Sequence, residues 1–171
     1  MHKIKWHKIF DLGKICINRM ITATGDSTRI LLVDDDKDDC VFFQQALKET
    51  GLNAIVRVVN ESTGILERLP DERGTLPNLI FLDLNMPTVD GIKCLREIRK
   101  AETFVNTPVI IFSTGCRTSD VEETFAIGAN LYVQKPSAFD LLTKILSQLS
   151  QLDWKEYLNE RLRSRYVFTN R

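Results

Sequence analysis

The 171-residue sequence predicts an α/β domain with a doubly wound, five-stranded parallel sheet in the order 2-1-3-4-5. Three observations predict it. Residues 79–82 and 109–112 are short, nearly continuous apolar runs, as expected of parallel strands covered by helices on both faces. Such runs alternate five times with segments of helical periodicity, and right-handed crossovers then leave few topologies. Four of the runs also end abruptly in polar residues, and in an open parallel sheet ligands bind beyond the carboxyl ends of the strands.

Taken in order, strand one is residues 30–33. The first helix begins near Asp36 or Lys37, where Asp36 suits an N-cap and Asp38 and Asp39 suit the positive end of the helix dipole; it stops at Gly51. Residues 54–59 form strand two, and residues 61–69 a short helix stopped by Pro70. A loop punctuated by Gly74 and Pro77 leads to strand three, residues 79–82. Residues 91–101 are a helix with Ile92, Leu95 and Ile98 at helical spacing, and residues 109–112 are strand four. Ser119 to Glu122 reads as a capping box for the fourth helix, which Gly128 closes. Strand five is residues 131–134. Residues 137–140 open the last helix, whose Leu142, Ile145, Leu146 and Leu149 make an apolar stripe.

Composition narrows the class without naming a function. The charges balance, and 43% hydrophobic with 27% charged residues is ordinary for a globular protein. Cys16, Cys40, Cys94 and Cys116 lack metal-ligand spacing and read as reduced thiols. No stretch approaches the roughly 18 apolar residues of a membrane span, so the chain is expected in the cytoplasm, off the membrane. The charge is unevenly placed: about +4 up to Arg29, about +2 after Ser150 and about −6 between them. A central domain built around an acidic pocket fits that pattern.

The strand ends supply the pocket. Residues 30–33 run into Asp34-Asp35-Asp36, residues 79–82 into Asp83, then Asn85-Met86-Pro87 and Asp90-Gly91. Residues 109–112 run into Ser113-Thr114-Gly115, and residues 131–133 into Gln134-Lys135-Pro136. Carboxylates, a hydroxyl and an ammonium thus converge as a site for a divalent cation and a phosphoryl group.

Together these motifs, in order and spacing over residues 28–150, resemble the receiver domain of bacterial two-component response regulators, a flavodoxin-like fold. The resemblance implies that Asp83 is the phosphoacceptor, a carboxylate nucleophile taking a phosphoryl group from a histidine of a sensor kinase. It implies Mg²⁺ held by Asp35 directly, Asp34 directly or through water, Asp83, and the backbone carbonyl of Asn85. Ser113 and Lys135 would contact phosphoryl oxygens, with Thr114 turned to the other side of the strand end. The Lys135–Pro136 bond would be cis. Tyr132 matches the family's switch aromatic, expected to swing inward with Ser113; its plain alternative is a partly buried aromatic at a strand edge. The positions two after Asp83 and Ser113, which line the approach of hydrolytic water in the family, are Asn85 and Gly115.

The implied organisation is a flexible N-terminal extension over residues 1–27, a receiver over 28–150 and a helical C-terminal extension over 151–171. The first carries an amphipathic stripe (Trp6, Ile9, Phe10, Leu12, Ile15) and Met20 as an alternative start. The last carries Trp154, Tyr157, Leu158, Leu162, Tyr166 and Phe168; it either docks back on the domain or serves a homodimer or partner. Only 21 residues follow Ser150, too few for a helix-turn-helix, so the expected type is a stand-alone regulator without DNA binding. Its implied partners are a sensor histidine kinase or histidine phosphotransfer protein and a downstream protein target. It is not a turnover enzyme: Asn85 stands where a haloacid-dehalogenase-type phosphohydrolase needs a second aspartate, and no P-loop occurs. The remaining alternative is an interaction module that keeps the fold without phosphorylation.

Overall fold

The computed structural model describes residues 27–60, 64–70, 74–87, 90–152, 154 and 166–168. The expected stripe over residues 6–15, the first turn of the short second helix and most of the C-terminal stripe lie outside them.

The strands are β1 (Thr28–Val33), β2 (Ala54–Val59), β3 (Leu79–Leu82), β4 (Val109–Ser113), β5 (Leu131–Gln134) and a two-residue β6 (Val167–Phe168). All pair in parallel in the order β2-β1-β3-β4-β5-β6. The first five have the expected order, and β6 adds a parallel edge beside β5. The helices are α1 (Lys37–Glu49), α2 (Ile65–Arg68), α3 (Gly91–Lys100), α4 (Thr118–Ile127) and α5 (Phe139–Ser150), with a 3-10 turn at Glu102–Phe104.

The alternation of side chains along each strand divides the core in two. Ile30, Leu32, Leu79, Phe81, Ile110, Phe112, Leu131 and Val133 face α1 and α5. Leu31, Val33, Ile80, Leu82, Val109, Ile111 and Tyr132 face α2, α3 and α4. Both sets are buried, which is why the sequence shows runs rather than a polar alternation. Phe43 from α1 meets Phe81 and Phe112 edge to face, with centroids 4.8 and 5.6 Å apart, under the site end of the sheet.

Several helix ends follow their local chemistry. The Asp36 carboxylate accepts from the backbone N–H groups of Asp38 and Asp39 and caps α1, and Asp90 caps α3 through Ile92 N–H. In α3, Cys94 takes the inward position with Leu95 and Ile98, while Ile92 is only half-buried. The capping box expected at Ser119 does not form. Helix α4 starts at Thr118 with Arg117 as an uncapped N-terminus, because the Ser119 hydroxyl is spent on the neighbouring Asp120 carboxylate. Helix α2 is shorter than expected, beginning after Gly64 at φ 66°.

Burial pushes the Cys94 thiol up to about 12, and Cys40, buried beside Asp34, likewise to about 12. Both are protonated and unreactive at neutral pH.

At the end of the sheet opposite the site, the Arg99 guanidinium donates to the carbonyls of Gly128, Phe104 and Thr107 and to Asn130 Oδ1. Asn130 Oδ1 also accepts from Val109 N–H. Arg99 thus ties α3, the 3-10 turn and the α4–β5 connection to the start of β4. Arg99→Met is expected to strand these acceptors and lower unfolding stability by about 3 kcal/mol. A urea midpoint shift worth less than about 1 kcal/mol would show that water replaces the guanidinium.

Candidate phosphoryl and metal site

The site lies at the carboxyl ends of β1, β3, β4 and β5, beside the point where strand order reverses between β1 and β3. Register sets it. Val33 pairs with Leu82, so Asp34 and Asp83 follow on neighbouring strands, and Ser113 pairs with Gln134, so Lys135 follows beside it. Backbone bonds continue past the strands: Asp83 N–H to Val33 O at 2.9 Å, Asp34 N–H to Val59 O at 3.1 Å, and Lys135 N–H to Ser113 O at 2.8 Å. The functional side chains therefore hang from a rigid ladder rather than from loops.

One carboxylate oxygen from each of Asp34, Asp35 and Asp83 lies within 4.8 Å of the others. Asp34 and Asp83 are buried and Asp35 is partly exposed. Lys135 Nζ donates to Asp34 Oδ2 at 2.8 Å, Asp39 Oδ2 at 2.8 Å and Asp83 Oδ2 at 3.0 Å, and lies 5.7 Å from the centre of the Phe112 ring. Burial raises the Asp34 carboxyl above its usual value, although its bond to Lys135 pulls the other way. Burial alone would lower the Lys135 ammonium, but its bonds to Asp34 and Asp39 and the Asp83 charge outweigh it and hold the group well above the usual lysine range. The lysine is a fixed cation.

Three carboxylates (Asp34, Asp39, Asp83) hold this one ammonium, and a fourth, Asp35, lies beside those of Asp34 and Asp83. At an effective dielectric near 20, two carboxylates at such spacing repel by roughly 3 kcal/mol. The all-oxygen donor set and the surplus negative charge fit a hard divalent cation such as Mg²⁺, to which Asp34, Asp35 and Asp83 would offer side-chain oxygens.

Asn85 closes the other side. Its backbone N–H donates to Asp83 Oδ1 at 3.1 Å, and its Nδ2 donates to Ser113 Oγ at 2.8 Å and Thr114 Oγ1 at 3.3 Å. Thr114 was expected to point away from the pocket, yet its hydroxyl reaches the same amide as Ser113, because the chain leaves the strand geometry after Ser113. The side chain of Asn85 is thereby engaged across the β3 and β4 ends. Its carbonyl is the position expected to face a cation.

One expectation from the family pattern differs, and so does the plain alternative for Tyr132. There is no cis peptide bond among the described residues, so Lys135–Pro136 is trans. The Lys135 side chain is long enough to reach Asp34, Asp39 and Asp83 from that backbone. Tyr132 is not partly buried at an edge but fully buried, its hydroxyl donating to Gly115 O at 2.9 Å. Burial pushes its phenol up to about 12. The reason is the C-terminal segment. Tyr132 N–H donates to Tyr166 O at 2.7 Å, β6 pairs with β5, and the buried Tyr166 packs edge to face on Tyr132 and donates to Thr124 Oγ1 at 2.8 Å. With Trp154 also buried against α1 and α5, the described part of the extension docks back on the domain.

Asp39 is the site residue that sequence reasoning missed. By sequence alone it suits only the positive end of the α1 dipole. The available signal was its place three residues after the Asp36 cap, in the first turn of a helix that starts directly from the β1 strand end.

Comparison with known proteins identifies the family and agrees with the fold. The family profile of the response regulator receiver domain matches residues 30–147. A probable methanogenesis regulatory protein, FilR2 of Methanothrix harundinacea, is 26% identical over 78% of this chain and 90% of its own length. The response regulator Rcp1 of Synechocystis is 29% identical over 74% of this chain and 88% of its own. The chain spans only 44% of another relative, the cell cycle transcriptional regulator CtrA of Caulobacter vibrioides, at 35% identity. Among solved structures, the phosphorylated cyanobacterial phytochrome response regulator RcpA superposes with a TM-score of 0.66, covering 80% of this chain and 96% of that one at 26% identity. The Mn²⁺-bound form of Rcp1 gives 0.62 over 71% and 91%, at 28% identity. The chain belongs to the response regulator receiver domain family of two-component signalling, a domain that is generally a signalling regulator rather than a turnover enzyme.

Proposed function

We infer that this chain receives a phosphoryl group on Asp83 from the phosphohistidine of a sensor kinase or histidine phosphotransfer protein, with Mg²⁺ in the acidic pocket, and signals through protein contacts. The observation that carries it is the convergence of Asp34, Asp35 and Asp83 with Lys135 bound between two of them. The solved relatives that are phosphorylated or hold Mn²⁺ support it by likeness. Several solved neighbours are named as phytochrome response regulators, so a phytochrome-type kinase is the first partner class to try.

An Asp83 carboxylate oxygen attacks phosphorus; the P–O bond forms as the P–N bond to the donor imidazole breaks, and the imidazole leaves with the bonding electron pair and takes up a proton. When bound, the cation supplies Lewis-acid neutralisation of phosphoryl oxygens. The chain's own residues do the rest. Asn85 N–H fixes the rotation of the Asp83 carboxylate, Lys135 offers an ammonium at the same place, and Ser113 presents a hydroxyl from the neighbouring strand end. The transition state is largely loose, so this positioning and charge carry the catalysis. Tyr132 and the β5 surface behind Ser113 would transmit the change by a shift between two arrangements.

The test is intact-mass spectrometry after incubation with acetyl phosphate and Mg²⁺. Wild type is expected to gain one labile phosphoryl mass that chelator prevents and Asp83→Asn abolishes. No adduct, or an adduct insensitive to that substitution, would favour a phosphorylation-independent interaction module.

A further inference from the structure

Lysine ammonium has three donor hydrogens and no acceptor. In Lys135 the three partners are the carboxylates of Asp34, Asp39 and Asp83, on β1, α1 and β3. The three are not equivalent. Asp34 and Asp83 also belong to the converging carboxylate cluster, whereas Asp39 does not. Its side chain is 39% exposed, against 1% for Asp34 and 6% for Asp83. A cation in the cluster competes for Asp34, and phosphorylation converts the Asp83 carboxylate into an acyl phosphate, whose charge lies on the phosphoryl oxygens. Both changes occur in the state in which the ammonium has to meet a phosphoryl oxygen.

We propose that Asp39 is a positioning residue that anchors Lys135 at the pocket when Asp34 and Asp83 are engaged elsewhere. This rests on the receiver reading above and goes beyond its residue set. The local sequence builds the anchor. The Asp36 carboxylate caps α1 by accepting from Asp39 N–H at 3.1 Å, which fixes the backbone that carries the Asp39 side chain. The same carboxylate accepts from Asp38 N–H at 2.9 Å, but among the contacts of Lys135 only Asp39 represents that turn. Asp38 therefore shares the favourable position at the helix N-terminus and lacks the contact, which separates a dipole role from an anchoring role. Because Asp39 lies outside the cation cluster, it holds the ammonium without surrendering a metal ligand.

The decisive comparison is Asp39→Ala, Asp39→Asn and Asp38→Ala in the full chain, each saturated with Mg²⁺. The first readout is the ¹⁵Nζ resonance of Lys135, which is sharp and protected only while the ammonium is held in hydrogen bonds. Wild type and Asp38→Ala are expected to keep it, Asp39→Ala to lose it to exchange, and Asp39→Asn, which retains an acceptor oxygen, to recover part of it. The second is the rate of phosphorylation by acetyl phosphate, expected to fall about tenfold in Asp39→Ala and to be unchanged in Asp38→Ala. A protected resonance in Asp39→Ala, or a lost one without a rate effect, would overturn the positioning role. Should wild type accept no phosphoryl group, the receiver reading fails by itself, and the resonance still decides whether Asp39 anchors Lys135.

Discussion

Gly91→Ala is expected to cost the pocket its geometry and the domain about 3 kcal/mol of stability. A methyl group at position 91 would collide with the Asp83 carbonyl oxygen and stand 2.7 Å from Leu84 Cα. Both are backbone atoms, so no rotamer change relieves the clash. Helix α3 approaches this closely because Asp90 caps it and forms a bridge with Asn85 across the loop that leaves β3. Moving α3 outward would open the packing of Cys94, Leu95 and Ile98 on the sheet; moving the loop would turn the Asp83 carboxylate away from Lys135. The second route predicts loss of phosphorylation beyond what instability explains. Thermal unfolding combined with Mg²⁺ titration separates the two, since a variant unfolding at the wild-type temperature with unchanged affinity would show that the loop absorbs the methyl group at no cost.

The close approach at Gly91 also shows which parts of the fold were legible. The sequence motif Asp90-Gly91 marked a helix start, and composition could not reveal that the glycine is demanded by backbone contact rather than by a left-handed conformation. The five strands, their order and the cluster of Asp34, Asp35, Asp83, Ser113 and Lys135 were readable because parallel strands buried on both faces leave unbroken apolar runs. Polar residues at the ends of such runs share one edge of the sheet. What was not readable depended on side-chain reach or on competition between hydrogen bonds. The reach of Asp39 to Lys135 from a helix turn, the shared amide of Asn85, and the diversion of Ser119 from a capping role to Asp120 are of this kind. Strand β6 was hidden for another reason: Tyr166-Val167-Phe168 is too short to declare a strand and is stabilised by pairing with β5 and by the Tyr166–Thr124 bond.

Lys135→Met is expected to be destabilised by about 3–5 kcal/mol in the presence of chelator, the cost of leaving buried carboxylates without their counter-charge. Methionine keeps an unbranched apolar stem of similar length but removes the only cation found between Asp34 and Asp83 among the described residues. Mg²⁺ should then stabilise this variant more than wild type, because in wild type the ammonium already neutralises part of the cluster and competes for Asp34. The pH dependence has a definite sign. The Asp34 carboxyl is already raised by burial, and losing the Lys135 bond removes the main influence that lowers it, so it rises further. A group whose folded pKa exceeds its unfolded value contributes stability below the unfolded value, lost as pH rises through the folded one. The deficit of Lys135→Met relative to wild type should therefore shrink as pH falls from 7 towards the carboxylate range. Urea unfolding at several pH values, with and without Mg²⁺, measures this directly. Equal stability of variant and wild type in chelator at neutral pH would mean that water already compensates the four carboxylates, and the case for a cation drawn from their surplus charge would fall with it.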